Sequence, residues 1–346
     1  MLSSIKSAVH GLMLCALLSF GVIPGVTAAP RPFIIDTDVG VDDIVAILYV
    51  LQRPDIVVKA VTIAADGNAH CRPALANTLG LLQKMGQANI PVACGQEKPL
   101  IASHRFPDFV LEESDTLAHT AQLLPEVRVK SRHNAVDLMI HTLRNSPEPV
   151  TILAIGPLTN LAQVLQKDPE IKKKIRIIYI MGGAIDVPGN IPEVAPDIHN
   201  EAAEWNFYLD PHAARMVLSR NIPVVLISLD TTNQIPVDMA FYHAIKAMRP
   251  APGTDYVFAL LHNGMSMIRD NSWFFWDPLA AVIASDESIA TFKTRRISVL
   301  LAPESRSGAT VVDNRHGYDV RVADTVDKPA FERLLLRYLN QPVGKV

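Results

Sequence analysis

The chain has 346 residues, 49% of them hydrophobic, with a formal net charge of −3. That is enough apolar material for one large packed domain, and it excludes a disordered chain. The slightly acidic balance gives no electrostatic footprint for nucleic acid or an anionic membrane surface.

Residues 1–29 read as a secretory leader. Lys6 supplies a small positive start, His10–Ile23 an apolar run and Pro24-Gly25 a break. Val26-Thr27-Ala28 is a small-residue cleavage site. The expected division is a signal peptide over 1–28 and one domain over 29–346, secreted or periplasmic, without a stable membrane partner once the leader is cleaved. Ser7–Ala29 lacks Lys, Arg, Asp and Glu. It is therefore long and apolar enough to span a bilayer, and an uncleaved anchor is the alternative.

The first predicted element is a buried strand over Phe33–Thr37. It runs into Asp36-Thr37-Asp38-Val39-Gly40-Val41-Asp42-Asp43 and then into an apolar helix over Asp42–Gln52. Acids in a first helical turn are favoured by the helix dipole, but four carboxylates at one junction repel one another. A cation would neutralise them, and oxygen-only ligands suit Ca²⁺ or Mg²⁺ rather than zinc. The alternative is a solvated acidic loop with a helix cap.

Further strands are predicted at Ile56–Ile63, Ile90–Ala93, Val150–Ile155, Ile175–Met181 and Pro223–Leu229. Helices are predicted between them at Pro73–Met85, Ala135–Arg144, Pro157–Gln166 and Pro211–Ser219. The strands are Val/Ile-rich and almost continuously apolar, as in a parallel sheet covered on both faces. Five strand ends finish in Asp, Gly or small polar residues: Asp38, Asp66-Gly67-Asn68, Gly156-Pro157, Met181-Gly182-Gly183 and Asp230-Thr231-Thr232-Asn233. Ligands bind at such ends. Lys98–Arg132 reads as a loop bordering the site, 186–204 as irregular and 238–287 as helical. Ile297–Leu301, Thr310–Val312 and Tyr318–Val322 follow as strands, and Lys328–Leu339 as a last helix. Outside the leader stand Cys71 and Cys94. They read as free buried thiols, with pairing in an oxidising compartment as the alternative.

The acidic stretch resembles the signature of the nucleoside hydrolase family (inosine-uridine-preferring type). The resemblance continues through Gly67-Asn68, Gly156-Pro157-Leu158-Thr159-Asn160, Met181-Gly182-Gly183, Gly189-Asn190, Ala203-Glu204-Trp205-Asn206, Asp210-Pro211 and Trp276-Asp277. It implies a single α/β domain whose mostly parallel, doubly wound sheet holds a deep Ca²⁺ pocket at the strand carboxyl ends. It also implies a Ca²⁺-dependent N-glycosidase acting on ribonucleosides, commonly a dimer or tetramer. The implied metal ligands are Asp38, Asp43, the Ile155 carbonyl and Asp277, with Asp38 as the base. The implied sugar contacts are Asp42, Asn190, Glu204 and Asn206, and Asn68 falls near the metal. If extended, Glu204 and Asn206 share a face.

Trp276 stands where pyrimidine-accepting members carry a histidine. It cannot protonate a base but can stack on one, so the chain resembles the purine-specific branch. Trp205 could line the same pocket, Phe106 or Phe109 could close over the base, and Trp273 has no assigned role. Val39 stands where a Pro is common, and the 189–204 segment is longer than in short members. Two other readings compete with this one. The first is a metal-dependent nucleoside receptor without turnover, against which the complete acidic set argues. The second is an aspartyl phosphohydrolase, against which the Gly-Val-Asp-Asp continuation argues. Within the hydrolase reading, broad or pyrimidine preference is the alternative to purine.

Overall fold

The structure is a computed structural model describing residues 29–129 and 134–342. The leader expected over 1–28 lies outside the described residues. In chain order the first half contains strand β1 (Arg31–Thr37), helix α1 (Val41–Leu51), β2 (Ile56–Ile63), α2 (Cys71–Lys84), β3 (Val92–Cys94), α3 (Asp108–Asp115), α4 (Ala135–Asn145), β4 (Val150–Ala154), α5 (Thr159–Lys167) and β5 (Ile175–Met181). Short helices α6 (Ile191–Val194) and α7 (Trp205–Leu209) precede α8 (Pro211–Leu218) and β6 (Val224–Ile227). A helical stretch follows: α9 (Leu229–Thr232), α10 (Met239–Lys246), α11 (Pro252–Asn263), α12 (Met265–Arg269) and α13 (Trp276–Ser285). The chain closes with β7 (Ala290–Val299), β8 (Thr310–Val312), β9 (Tyr318–Val326) and α14 (Lys328–Leu339).

The nine strands form one sheet in the order β3-β2-β1-β4-β5-β6-β9-β7-β8. Pairings from β3 through β6 to β9 are parallel, and β7 runs antiparallel to both β9 and β8. Alternation along each strand divides the apolar residues between two cores. Phe33, Ile35, Leu153, Tyr179 and Val225 face α1, α2, α13 and α14. Ile34, Ile152, Ile178 and Leu226 face α4, α5 and α8. Burial on both sides is why these strands read as unbroken apolar runs.

The order reverses at β1, which pairs with β2 on one side and β4 on the other. The crevice beyond the carboxyl ends of β1 and β4 is therefore the topological switch point, where such sheets bind ligands.

Three expectations change. Lys98–Arg132 is not a plain loop, since α3 lies within it and buries Leu111 and Ser114. The strand expected at Ile297–Leu301 begins earlier, at Ala290, because its first half is largely exposed and its charged side chains hide the strand pattern. Cys71 and Cys94 are joined by a disulfide, with Cα atoms 5.9 Å apart. It ties the start of α2 to the end of β3. The two lie 23 positions apart in sequence, and only the parallel β2–β3 pairing brings them together.

Candidate active site

Asp38 follows β1 and is buried, as is Asp43 in the first turn of α1. Asp43 is fixed from two directions. The Thr37 hydroxyl donates to its Oδ1, and the Gly40 N–H donates to Oδ2 at 2.9 Å, closing a cap at the start of α1. The capping role thus falls to Asp43. Asp42, one position earlier, is half-buried and faces the cavity.

Asp277 enters from the first turn of α13. Asp42, Asp43 and Asp277 each place a carboxylate oxygen within 4.8 Å of the others. Asp38 adjoins Asp43 closely enough for the two carboxyls to hydrogen-bond. Burial, reinforced by the neighbouring aspartates, drives Asp38 and Asp277 well above the ordinary carboxyl range. Burial raises Asp43 as well and takes Asp42 to about 7.

Such a cluster disfavours its own ionised form unless a cation offsets it. The donor set fits a hard divalent ion. It is all oxygen, the Ile155 residue lies on the same cavity wall, and no His or Cys lines that wall among the described residues.

The backbone around Asp38 is close-packed. Asn68 N–H donates to Asp38 Oδ2 at 3.0 Å. A Cβ on Gly67 would lie 2.3 Å from Asp38 Cβ and Oδ2, so this turn has room for glycine alone. Val39 has φ of +63° and its N–H donates to the Thr37 hydroxyl at 3.1 Å. That angle lies outside the range a proline ring permits. For a β-branched residue it stores strain of order 1–3 kcal/mol. The departure at this position is therefore one of backbone as well as side chain.

Across the cavity, Glu204 caps α7. Its carboxylate accepts from Asn206 N–H at 2.9 Å, Phe207 N–H at 3.2 Å and Gly183 N–H at 2.9 Å. The condition for Glu204 and Asn206 to share a face as an extended stretch is not met, because Glu204 is extended but α7 starts at Trp205. A helix cap still leaves both side chains on the cavity. Burial raises Glu204 to about 7 against those three donors. Asn206 Nδ2 donates to the Met181 carbonyl at 3.2 Å, and Asn190 Oδ1 accepts Trp205 N–H at 3.1 Å.

All the sequence-predicted site residues line one cavity of about 350 Å³: Asp38, Asp42, Asp43, Asn68, Ile155, Asn190, Glu204, Trp205, Asn206, Trp276 and Asp277. That volume suits a small ligand. Phe106, Phe109 and Trp273 also line it, and Phe106 stacks on Trp205 with ring centroids 4.3 Å apart. Sequence reasoning missed Glu113 and Ser114 on α3, Glu193 on α6 and Met267 on α12. These come from segments without strand-end or motif signals. Asp36, first of the signature aspartates, faces away from the cluster. Its Oδ1 accepts from Thr62 Oγ1 at 2.6 Å and Asn160 Nδ2 at 2.9 Å, which accounts for Asn160 in its own block.

Comparison with known proteins gives a consistent picture. The profile of the family described as "Inosine-uridine preferring nucleoside hydrolase" matches residues 33–333. The pyrimidine-specific ribonucleoside hydrolase RihA of Klebsiella pneumoniae is 36% identical over 321 residues, covering 89% of this chain and 98% of that protein. Among solved structures, the plant nucleoside hydrolase PpNRh1 superposes with a TM-score of 0.81 at 31% identity, over 90% of this chain and 100% of its own. The inosine-uridine preferring nucleoside hydrolase of Bacillus anthracis gives 0.79 at 26% identity, over 90% and 99%.

Proposed function

The chain belongs to the inosine-uridine preferring nucleoside hydrolase family and is a ribonucleoside hydrolase; on that premise we propose that it cleaves purine ribonucleosides with the help of a bound Ca²⁺. The observation that carries the reading is the convergence of three buried carboxyls, Asp38, Asp43 and Asp277, and the half-buried Asp42 with Glu204 and Asn206 on one cavity. Asp38, Asp43, Asp277 and the Ile155 carbonyl would hold the ion, and the ion supplies Lewis-acid polarisation of water.

Asp38 takes a proton from water as its oxygen bonds to the ribose anomeric carbon. The carbon–nitrogen bond breaks, and its electron pair leaves with the base, which takes up a proton from solvent. Positive charge grows on the sugar in the transition state, and the surrounding carboxylates and amide oxygens stabilise it. Asp42, Asn190, Glu204 and Asn206 grip the ribose hydroxyls, with Asn68 behind them. The cavity wall carries Asp38, Asp42, Asp43, Glu113, Glu193, Glu204 and Asp277 but, among the described residues, no Lys, Arg or His. That charge favours uncharged nucleosides over their phosphates.

The purine preference rests on Trp276, half-buried in the wall beside Asp277, which offers a ring face and no acid. A pyrimidine preference is the second reading, favoured by the name of the Klebsiella relative. Base release from inosine, guanosine, adenosine, uridine and cytidine, with wild type and Trp276→Ala, separates them. The proposal expects purine cleavage to dominate and to fall on Trp276→Ala. Uridine cleavage as fast as inosine cleavage overturns the preference. Export across a membrane is part of the proposal, supported by the Cys71–Cys94 disulfide, which suits an oxidising compartment.

A further inference from the structure

Behind Asp38 lies a second buried acidic group that the reaction does not use. Thr159 Oγ1 sits 2.5 Å from Asp66 Oδ2 and 2.7 Å from Asp210 Oδ2. A hydroxyl carries one hydrogen and can satisfy one of two carboxylates. If both were ionised, one close oxygen–oxygen contact would hold no proton, and so one carboxyl must carry it.

Asp210 is the partner better supplied with donors. It caps α8, accepting Ala213 N–H at 2.9 Å on Oδ1 and Leu100 N–H at 2.8 Å on Oδ2. Asp66 has less support, its own backbone N–H being the one main-chain donor that favours its charged form. It is buried, its Oδ1 has no partner, and the charged groups acting on it are Asp210 and Asp36, both acids. Burial, with those charges, pushes Asp66 up to about 7. The bond order is then Asp66 O–H to Thr159 Oγ1, and Thr159 O–H to Asp210.

This chain ties three segments of the active site. Asp66 opens the turn whose Gly67 N–H returns to the Ala64 carbonyl at 3.1 Å, whose Gly67 packs on the Asp38 side chain, and whose Asn68 N–H reaches Asp38. Thr159 begins α5, just beyond Ile155, and Asp210 directly follows α7, which carries Asn206.

We propose that Asp66 is a positioning residue, held as a neutral acid, that anchors the Gly67-Asn68 turn against Asp38 through Thr159 and Asp210. Its effect on turnover rests on the role of Asp38 given above, while its protonation does not. Ionising Asp66 sets two anionic oxygens on one hydroxyl, pushes the turn away and withdraws the Asn68 N–H from Asp38.

The test compares Asp66→Asn, Asp66→Ala and wild type. The amide of Asp66→Asn donates to Thr159 as the acid does and cannot ionise. On inosine, kcat of Asp66→Asn should stay within about threefold of wild type near pH 6, with KM unchanged, because the turn stays in place. Wild-type kcat should fall above pH about 7, and that fall should be absent in Asp66→Asn. Asp66→Ala should lose kcat by about tenfold or more at every pH. If Asp66→Asn loses as much as Asp66→Ala, or keeps the wild-type alkaline fall, the proposal is wrong.

Urea unfolding across pH decides the proton independently of activity, including for a protein that cleaves no nucleoside. A raised folded-state pKa gives stability that is full below the ordinary carboxyl range and lost as pH rises through about 7. Wild type should therefore lose stability relative to Asp66→Asn over that interval. A pH-independent difference between the two would show Asp66 ionised throughout and overturn the assignment.

Discussion

Gly67→Ala adds a single methyl group where the turn packs directly on Asp38. The new carbon would lie 2.3 Å from Asp38 Cβ and Oδ2 and 2.7 Å from Cγ, where ordinary contact begins near 3.4 Å. Relief requires a shift of about 1 Å, taken either by the Asp38 side chain or by the turn that gives it the Asn68 N–H. A misplacement of ~1 Å at a reacting group costs on the order of 100-fold in rate, equivalent to about 2.7 kcal/mol of transition-state stabilisation. Overpacking itself costs about 1–3 kcal/mol of stability, which a domain of this size survives. The assay is steady-state base release from inosine at saturating Ca²⁺, paired with a melting curve showing that the variant is folded. The expected result is a folded enzyme with kcat/KM lowered about 100-fold. A folded Gly67→Ala with kcat/KM within about twofold of wild type would refute the claim that Asp38 must sit where the turn holds it.

Two further outcomes follow from the same geometry. Replacing Cys71 and Cys94 with Ser opens a link 23 residues apart in sequence, for which loop entropy predicts a loss of about 3 kcal/mol of stability, read as a lower urea midpoint; an unchanged midpoint would show that the β2–β3 pairing alone holds α2 in place. The metal-free protein should lose stability as pH rises from about 4 to about 8. Burial raises Asp38, Asp42, Asp43 and Asp277, so the stability their protons give is full below the ordinary carboxyl range and is lost as pH rises through the raised values, about 7 for Asp42. Ca²⁺ in about 1,000-fold excess over its Kd should restore about 4 kcal/mol at pH 8, and no rise in melting temperature on adding Ca²⁺ would contradict that.

The layered architecture was legible because parallel strands buried on both faces leave unbroken Val/Ile runs, and β2, β5 and β8 occupy the expected spans. The acidic cluster was legible because its members sit at strand and helix ends, where short-range sequence fixes position. Long-range contacts left no such trace. Nothing local marks Cys71 and Cys94 as neighbours, since their meeting depends on strand order. Glu204 is an uncommon cap residue, so its place at the start of α7 was hidden, and with it the reason its carboxylate is so firmly held. Asp66, Thr159 and Asp210 are 93 and 51 positions apart in successive steps and meet only across the finished sheet. Trp273 gained a place on the cavity wall through the fold alone.

The central claim is that an ion held by the aspartate cluster drives cleavage of the nucleoside. Its most direct test is inosine hydrolysis after exhaustive chelation and again after Ca²⁺ is restored, for wild type and Asp38→Ala, with Ca²⁺ binding followed by calorimetry. The account predicts loss of activity on chelation, recovery with Ca²⁺ in wild type and no recovery in Asp38→Ala. Turnover that survives chelation, or an active Asp38→Ala enzyme, would contradict it.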